Sequence, residues 1–112
     1  MVSYVNWTFD NNYTGWRALL GSEPGSKGHV PAYAVPARAA DLRSLAPAYI
    51  EVGELDIFRD EDIEYARRLG QASVSVELHV HPGAPHGFER LAPESSVSKR
   101  AMADRYRIIR AL

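Results

Sequence analysis

Apolar and polar residues alternate from Ser73 to His81. Val74, Val76, Leu78 and Val80 fall on one side, and Ser73, Ser75, Glu77, His79 and His81 on the other. A period of two predicts a β-strand, here with one apolar and one polar face. A shorter run, Ala48 to Val52, follows Pro47 and stops at Gly53, and it also reads as a strand. Between the two runs the period changes. Ile63, Ala66 and Leu69 share one helical side, Asp60, Glu61 and Asp62 open the segment, and Arg67, Arg68 and Gly70 close it. Each charge sits at the dipole end that favours it, with Asp60 as the expected N-cap and Gly70 as the stop. Nearer the N-terminus, Thr14 offers a cap for a short helix in which Trp16, Leu19 and Leu20 form an apolar stripe ended by Gly21. Those three residues are expected in the core. At the other end, Ser95 or Ser96 caps a helix with Val97, Ala101, Ile108 and Leu112 along one side.

From Ser22 to Pro47 no period holds. Pro24, Pro31, Pro36 and Pro47 punctuate the stretch, and a short helical turn is expected around Ala39–Leu42. A connection of this length belongs to a functional loop or to a surface that has lost its neighbour. The predicted order is helix, long loop, strand, helix, strand, loop, helix. A strand–helix–strand unit implies parallel strands with a right-handed crossover. Two parallel strands rarely stand alone, because such sheets are buried on both faces. The fold class is α/β, and residues 1–112 read as a single partial domain, a piece of a larger sheet.

Composition narrows the partners. At a net charge of -1 nothing points to a polyanionic partner, so no nucleic acid is expected. The absence of cysteine removes disulfides, thiolate nucleophiles and Cys-based zinc sites. No apolar run is long enough to span a bilayer, and the N-terminal Met1 to Trp7 has neither part of a signal peptide. The expectation is a cytoplasmic protein with no membrane partner.

Parallel strands deliver the loops at their C-terminal ends to one edge. The first strand leads into Glu54, Asp56 and Asp60, the second into Gly83-Ala84-Pro85-His86-Gly87-Phe88. An acid and a histidine therefore meet from adjacent strands, as a carboxylate must if it is to hold one imidazole tautomer. Glu77, His79 and His81 could present metal ligands from one strand face, but a solvated face is the simpler account and no metal is expected.

Several motifs stand in order: Trp16-x-x-Leu19-x-Gly21, Pro36-Ala37-Arg38-Ala39-x-Asp41-Leu42, Pro47 to Asp56, Arg59-Asp60-Glu61, Tyr65-Ala66-x-x-Leu69, Val76-Glu77-Leu78 and Gly83-x-x-His86-Gly87-Phe88. Together they resemble the C-terminal part of the hormone-sensitive-lipase-like α/β-hydrolases. Ile57 and Phe58 replace the Pro and Leu common there. The resemblance implies a carboxylesterase or lipase with a Ser–His–Asp triad and no cofactor, acting on small-molecule esters. Asp56 would be its acid and His86 its base, with Glu54 and Asp60 as lesser candidates. Tyr33 is a candidate for lining a substrate pocket.

No serine here has glycine two positions away on both sides, and no His-Gly-Gly run is present. The nucleophile elbow and oxyanion loop of the family are therefore missing. The sequence reads as a truncated gene product, inactive by itself. A prolyl-oligopeptidase-like peptidase segment is the nearest alternative, and a non-catalytic self-associating fragment the next. An unblocked strand Ser73–His81 favours a homo-oligomer, through strand addition or exchange of elements.

Overall fold

Each strand stops where its loop turns toward the other. In the computed structural model, which describes residues 6–25 and 28–112, β1 (Ala48–Gly53) and β2 (Val76–His81) pair in parallel. The register runs from Ala48 beside Val76 to Gly53 beside His81. The expected fold class is thus present. Most of the segment read for a leader lies outside the described residues. No helix among the described residues is long and apolar enough to cross a membrane.

The crossover helix α2 (Arg59–Gln71) lies on one sheet face. Its Leu69 joins Leu42 and Val74 in a buried cluster, against which Ala48, Ile50, Tyr65 and Val76 pack. Removing such side chains from water stabilises by roughly 2–3 kcal/mol each. Acidic residues fill the first turn of α2 as expected, but its N-cap is Phe58 rather than Asp60, and no side chain caps it. The helix also passes Gly70 and ends with Ala72 as its C-cap. Ser73, at φ 62°, makes the left-handed reversal expected of Gly70. That reversal consumes the start of the alternating run, so β2 begins at Val76 rather than Ser73, while Val74 stays in the core.

The polar face of β2 departs most from expectation. It is partly covered: His81 is buried, while the Glu77 and His79 side chains stay about a third exposed. Helix α4 (Ser96–Arg110), capped by Ser95, sends Arg107 to Glu77 and Arg105 to Glu51. His81 is only 2% exposed and packs on Phe88 with ring centroids 5.2 Å apart. Phe88 opens a one-turn helix, α3 (Phe88–Leu91), which the sequence pattern did not reveal. With Ala84 and Ala101 it forms a second buried cluster, flanked by Val97. The expected stripe of α4 is buried at Ala101 but fully exposed at Leu112.

Helix α1 (Phe9–Leu20) begins earlier than Thr14 because Thr8 and Asn11 form a reciprocal capping box. Gly21, at φ 68°, ends it as expected. Trp16 and Leu20 are only half-buried and Leu19 is 63% exposed, so this stripe is not core. The turn expected at Ala39–Leu42 is instead a 3₁₀ turn at Pro36–Arg38, where Pro36 presets the first helical φ.

Candidate active site

Strand register places the candidate residues. Because Gly53 lies beside His81, the loops leaving both strands start level with each other. Three bonds then tie the loops: Glu54 N–H to His81 O at 2.9 Å, Leu55 N–H to Ala84 O at 3.0 Å, and Gly83 N–H to the Glu54 carboxylate at 2.8 Å. Gly53 makes this approach possible. A Cβ there would stand 2.1 Å from Ala84 O and 2.8 Å from its carbonyl carbon.

Asp56 and His86 meet at the tip of this arrangement. His86 Nδ1 lies 2.8 Å from Asp56 Oδ2, and Asp56 Oδ1 accepts the Phe58 N–H at 2.9 Å. Both carboxylate oxygens are engaged, so the acid cannot rotate freely. The Asp56 side chain is 6% exposed and the His86 side chain 42%. The rings of Trp7 and Phe58 flank the imidazole at centroid distances of 5.8 Å. With Nδ1 turned to Asp56, Nε2 is the nitrogen left to exchange a proton with a substrate group.

The pair opens on a cleft of about 600 Å³, lined in part by Trp7, Gly53, Asp62, Phe88 and Arg105. No Ser, Thr or Cys is among its described lining residues. Tyr33 does not reach it; that ring is exposed, away from the pair. Glu54 holds the histidine loop instead of the imidazole, and Asp60 pairs with Arg59 at 2.9 Å.

Glu77, His79 and Asp104 do come within ligand distance of one another. Their cation is already present. Arg107 bonds to both Glu77 and Asp104, and with His79 it holds the Glu77 carboxyl below its usual pKa. His81 belongs to another group, with Nε2 3.4 Å from Glu51.

Asp62 was not singled out from sequence, where it is one of three acids opening a helix. Burial pushes its pKa up to about 6, helped by Glu61 and Asp56 and opposed by His86. The folded chain therefore holds this proton more tightly than the unfolded chain, whose value is near 3.8. Stability associated with Asp62 is full below about pH 4, falls between pH 4 and 6, and is then constant. A shift of this size corresponds to about 3 kcal/mol, which solvent screening reduces to the order of 1. Asp62→Asn is expected to be more stable than wild type by that amount at pH 7.5 and equal at pH 3.5. Urea unfolding at both pH values checks this; an equal gain at both would assign it to packing.

A buried acid thus pairs with a histidine on loops leaving adjacent parallel strands. A family model described as alpha/beta hydrolase fold matches residues 3–90. Lipase 2 of Moraxella sp. (strain TA144) is 37% identical over 83 residues, which are 74% of this chain and 17% of the lipase. Among solved structures, a bacterial heroin esterase is 51% identical with a TM-score of 0.69, over 74% of this chain and 26% of that one. The esterase LipW from Mycobacterium marinum is 39% identical with a TM-score of 0.75, over 84% and 28%. The chain belongs to the α/β-hydrolase family, in its hormone-sensitive-lipase-like branch. It spans between about a sixth and just over a quarter of the length of these relatives.

Proposed function

We propose that this chain supplies the acid–base half of a carboxylesterase of the serine–histidine–aspartate type. The observation that carries the reading is the 2.8 Å bond between His86 Nδ1 and Asp56 Oδ2, made beside an open cleft. In the complete site, a serine from outside these 112 residues attacks the ester carbonyl, and His86 Nε2 takes the serine proton. Asp56 holds the imidazole tautomer and stabilises the imidazolium that forms. His86 returns the proton to the departing alcohol, then activates the water that releases the acid. The half-exposed imidazole and the deeply buried carboxylate suit these roles. The names of the relatives, a lipase and esterases, favour an ester over a peptide bond.

Alone, the chain is expected to leave p-nitrophenyl esters at the buffer rate, since neither nucleophile nor oxyanion donors accompany the pair. Mixing or fusing it with the upstream portion of a related esterase, itself lacking this segment, is expected to produce hydrolysis. Turnover by the lone chain that disappears in His86→Ala would overturn the reading, as would no turnover from a folded fusion.

The same chain also offers an oligomer contact. The outer edge of β2 carries no proline or lysine, and Val80 on it is exposed. Pairing of two copies along this edge is the assembly we propose. Sedimentation equilibrium at tens of micromolar is expected to give a dimer, and a monomer of 12.5 kDa would exclude it.

A further inference from the structure

A second ionic bridge runs beneath the Asp56–His86 pair and joins the same two segments. Glu51 lies on β1, five residues before Asp56, and Glu89 lies on α3, three residues after His86. Arg105, from α4, donates through Nε to Glu51 and through Nη1 to Glu89 Oε1 at 3.3 Å. The Glu51 side chain is only 12% exposed, and its other oxygen accepts from Tyr49 OH at 3.1 Å. Glu51, Glu89 and Arg105 all line the cleft that holds His86.

We propose that Arg105 is a positioning residue for His86: by clamping Glu89 to Glu51 it sets the distance between the histidine loop and Asp56. The mechanical case rests on what ties α3 to β1. Helix α3 is four residues long, its N-cap Gly87 sits at φ 67°, and no side chain caps it. Phe88 anchors it by apolar contact and its carbonyl accepts from the buried Ser98 Oγ at 3.4 Å, but these hold α3 chiefly to α4 and not to β1. A planar guanidinium bonded to carboxylates on both sides fixes direction as well as distance. Burial works against the charge of Arg105, yet its bonds to Glu51 and Glu89 outweigh that cost and raise its pKa.

The inference rests on the Asp56–His86 reading, and the test separates the two. The readout is the low-field proton resonance of the bond between His86 Nδ1 and Asp56, recorded by NMR on the full chain with the imidazolium formed. Wild type is expected to show it and Asp56→Asn to lose it. A wild type without it, or an Asp56→Asn variant that keeps it, sinks the pair and the bridge together. Arg105→Met is expected to lose the resonance with the rest of the spectrum still dispersed, and Arg105→Lys to recover it in part. Glu89→Ala leaves the Arg105–Glu51 bond intact, so it keeps the fold even if Arg105→Met does not, and it is expected to lose the resonance too. Arg107→Met, on the same helix, is expected to keep it. A folded Glu89→Ala variant with an unchanged resonance overturns the positioning role of Arg105 alone.

Discussion

Asp56→Asn is expected to lower kcat by about 10⁴ in an esterase completed by an upstream segment, with KM much less affected. An amide in place of the carboxylate presents an N–H or a neutral oxygen to His86. The tautomer that leaves Nε2 free to accept the serine proton is then no longer favoured, and the imidazolium loses its counter-charge. Asp56 makes two bonds that an asparagine cannot reproduce together, to His86 Nδ1 and to the Phe58 N–H. Glu54→Gln is the matched control. Its amide oxygen can still accept the Gly83 N–H, so activity is expected within about tenfold of wild type. Steady-state kinetics on one ester, with both variants in the same fusion, checks the ranking. The opposite order would move the acid to Glu54.

Gly53→Ala is expected to be the most damaging of the Gly→Ala changes among the described glycines. The added carbon would overlap the Ala84 carbonyl, and that carbonyl also accepts the Leu55 N–H. Neither group is a flexible side-chain end. Relief requires the histidine loop to lift from the end of β1, which breaks the bonds binding Glu54 and Leu55 to it. Overpacking costs about 1–3 kcal/mol where side chains can yield, so at least about 3 kcal/mol is expected here. The loss should appear in urea midpoints, and the bond between His86 and Asp56 should weaken even in molecules that remain folded. Gly70→Ala, where a Cβ meets open space, is expected to be neutral or mildly stabilising in the same assay. Similar outcomes for the two glycines would mean that the close approach at Gly53 is not rigid.

The two strands and the crossover helix were legible because burial on one side imposes a regular period. Asp56 and His86 were legible as the ends of that unit, and the family motifs then separated Asp56 from Glu54 and Asp60. The partly covered polar face was not legible. Glu77, His79 and His81 look like solvated positions unless the arginines of α4 are known to fold over them, and that contact joins residues 30 positions apart. Glu51 did hold a clue: a charge inside the run Ala48-Tyr49-Ile50-Glu51-Val52 calls for a buried partner. Its partner Arg105 lies 54 residues away, and no local pattern links them. The cap at Thr8 is not legible because it and its partner Asn11 lie in a stretch without an apolar period. The stripe of α1 is apolar but not core, because apolar character alone does not decide which surface covers it.

The in-register pairing of β1 and β2 bears on how the pair comes together during folding. Asp56 and His86 are separated by 30 positions, and the crossover helix takes up much of that distance. Closing such a loop costs little more entropy than closing one half as long, about 0.6 kcal/mol. Most of that closure is completed when β1, α2 and β2 associate. Carboxylate and imidazole are therefore brought together by the closure of one strand–helix–strand unit, a parallel pairing whose non-local contacts make it slow to form.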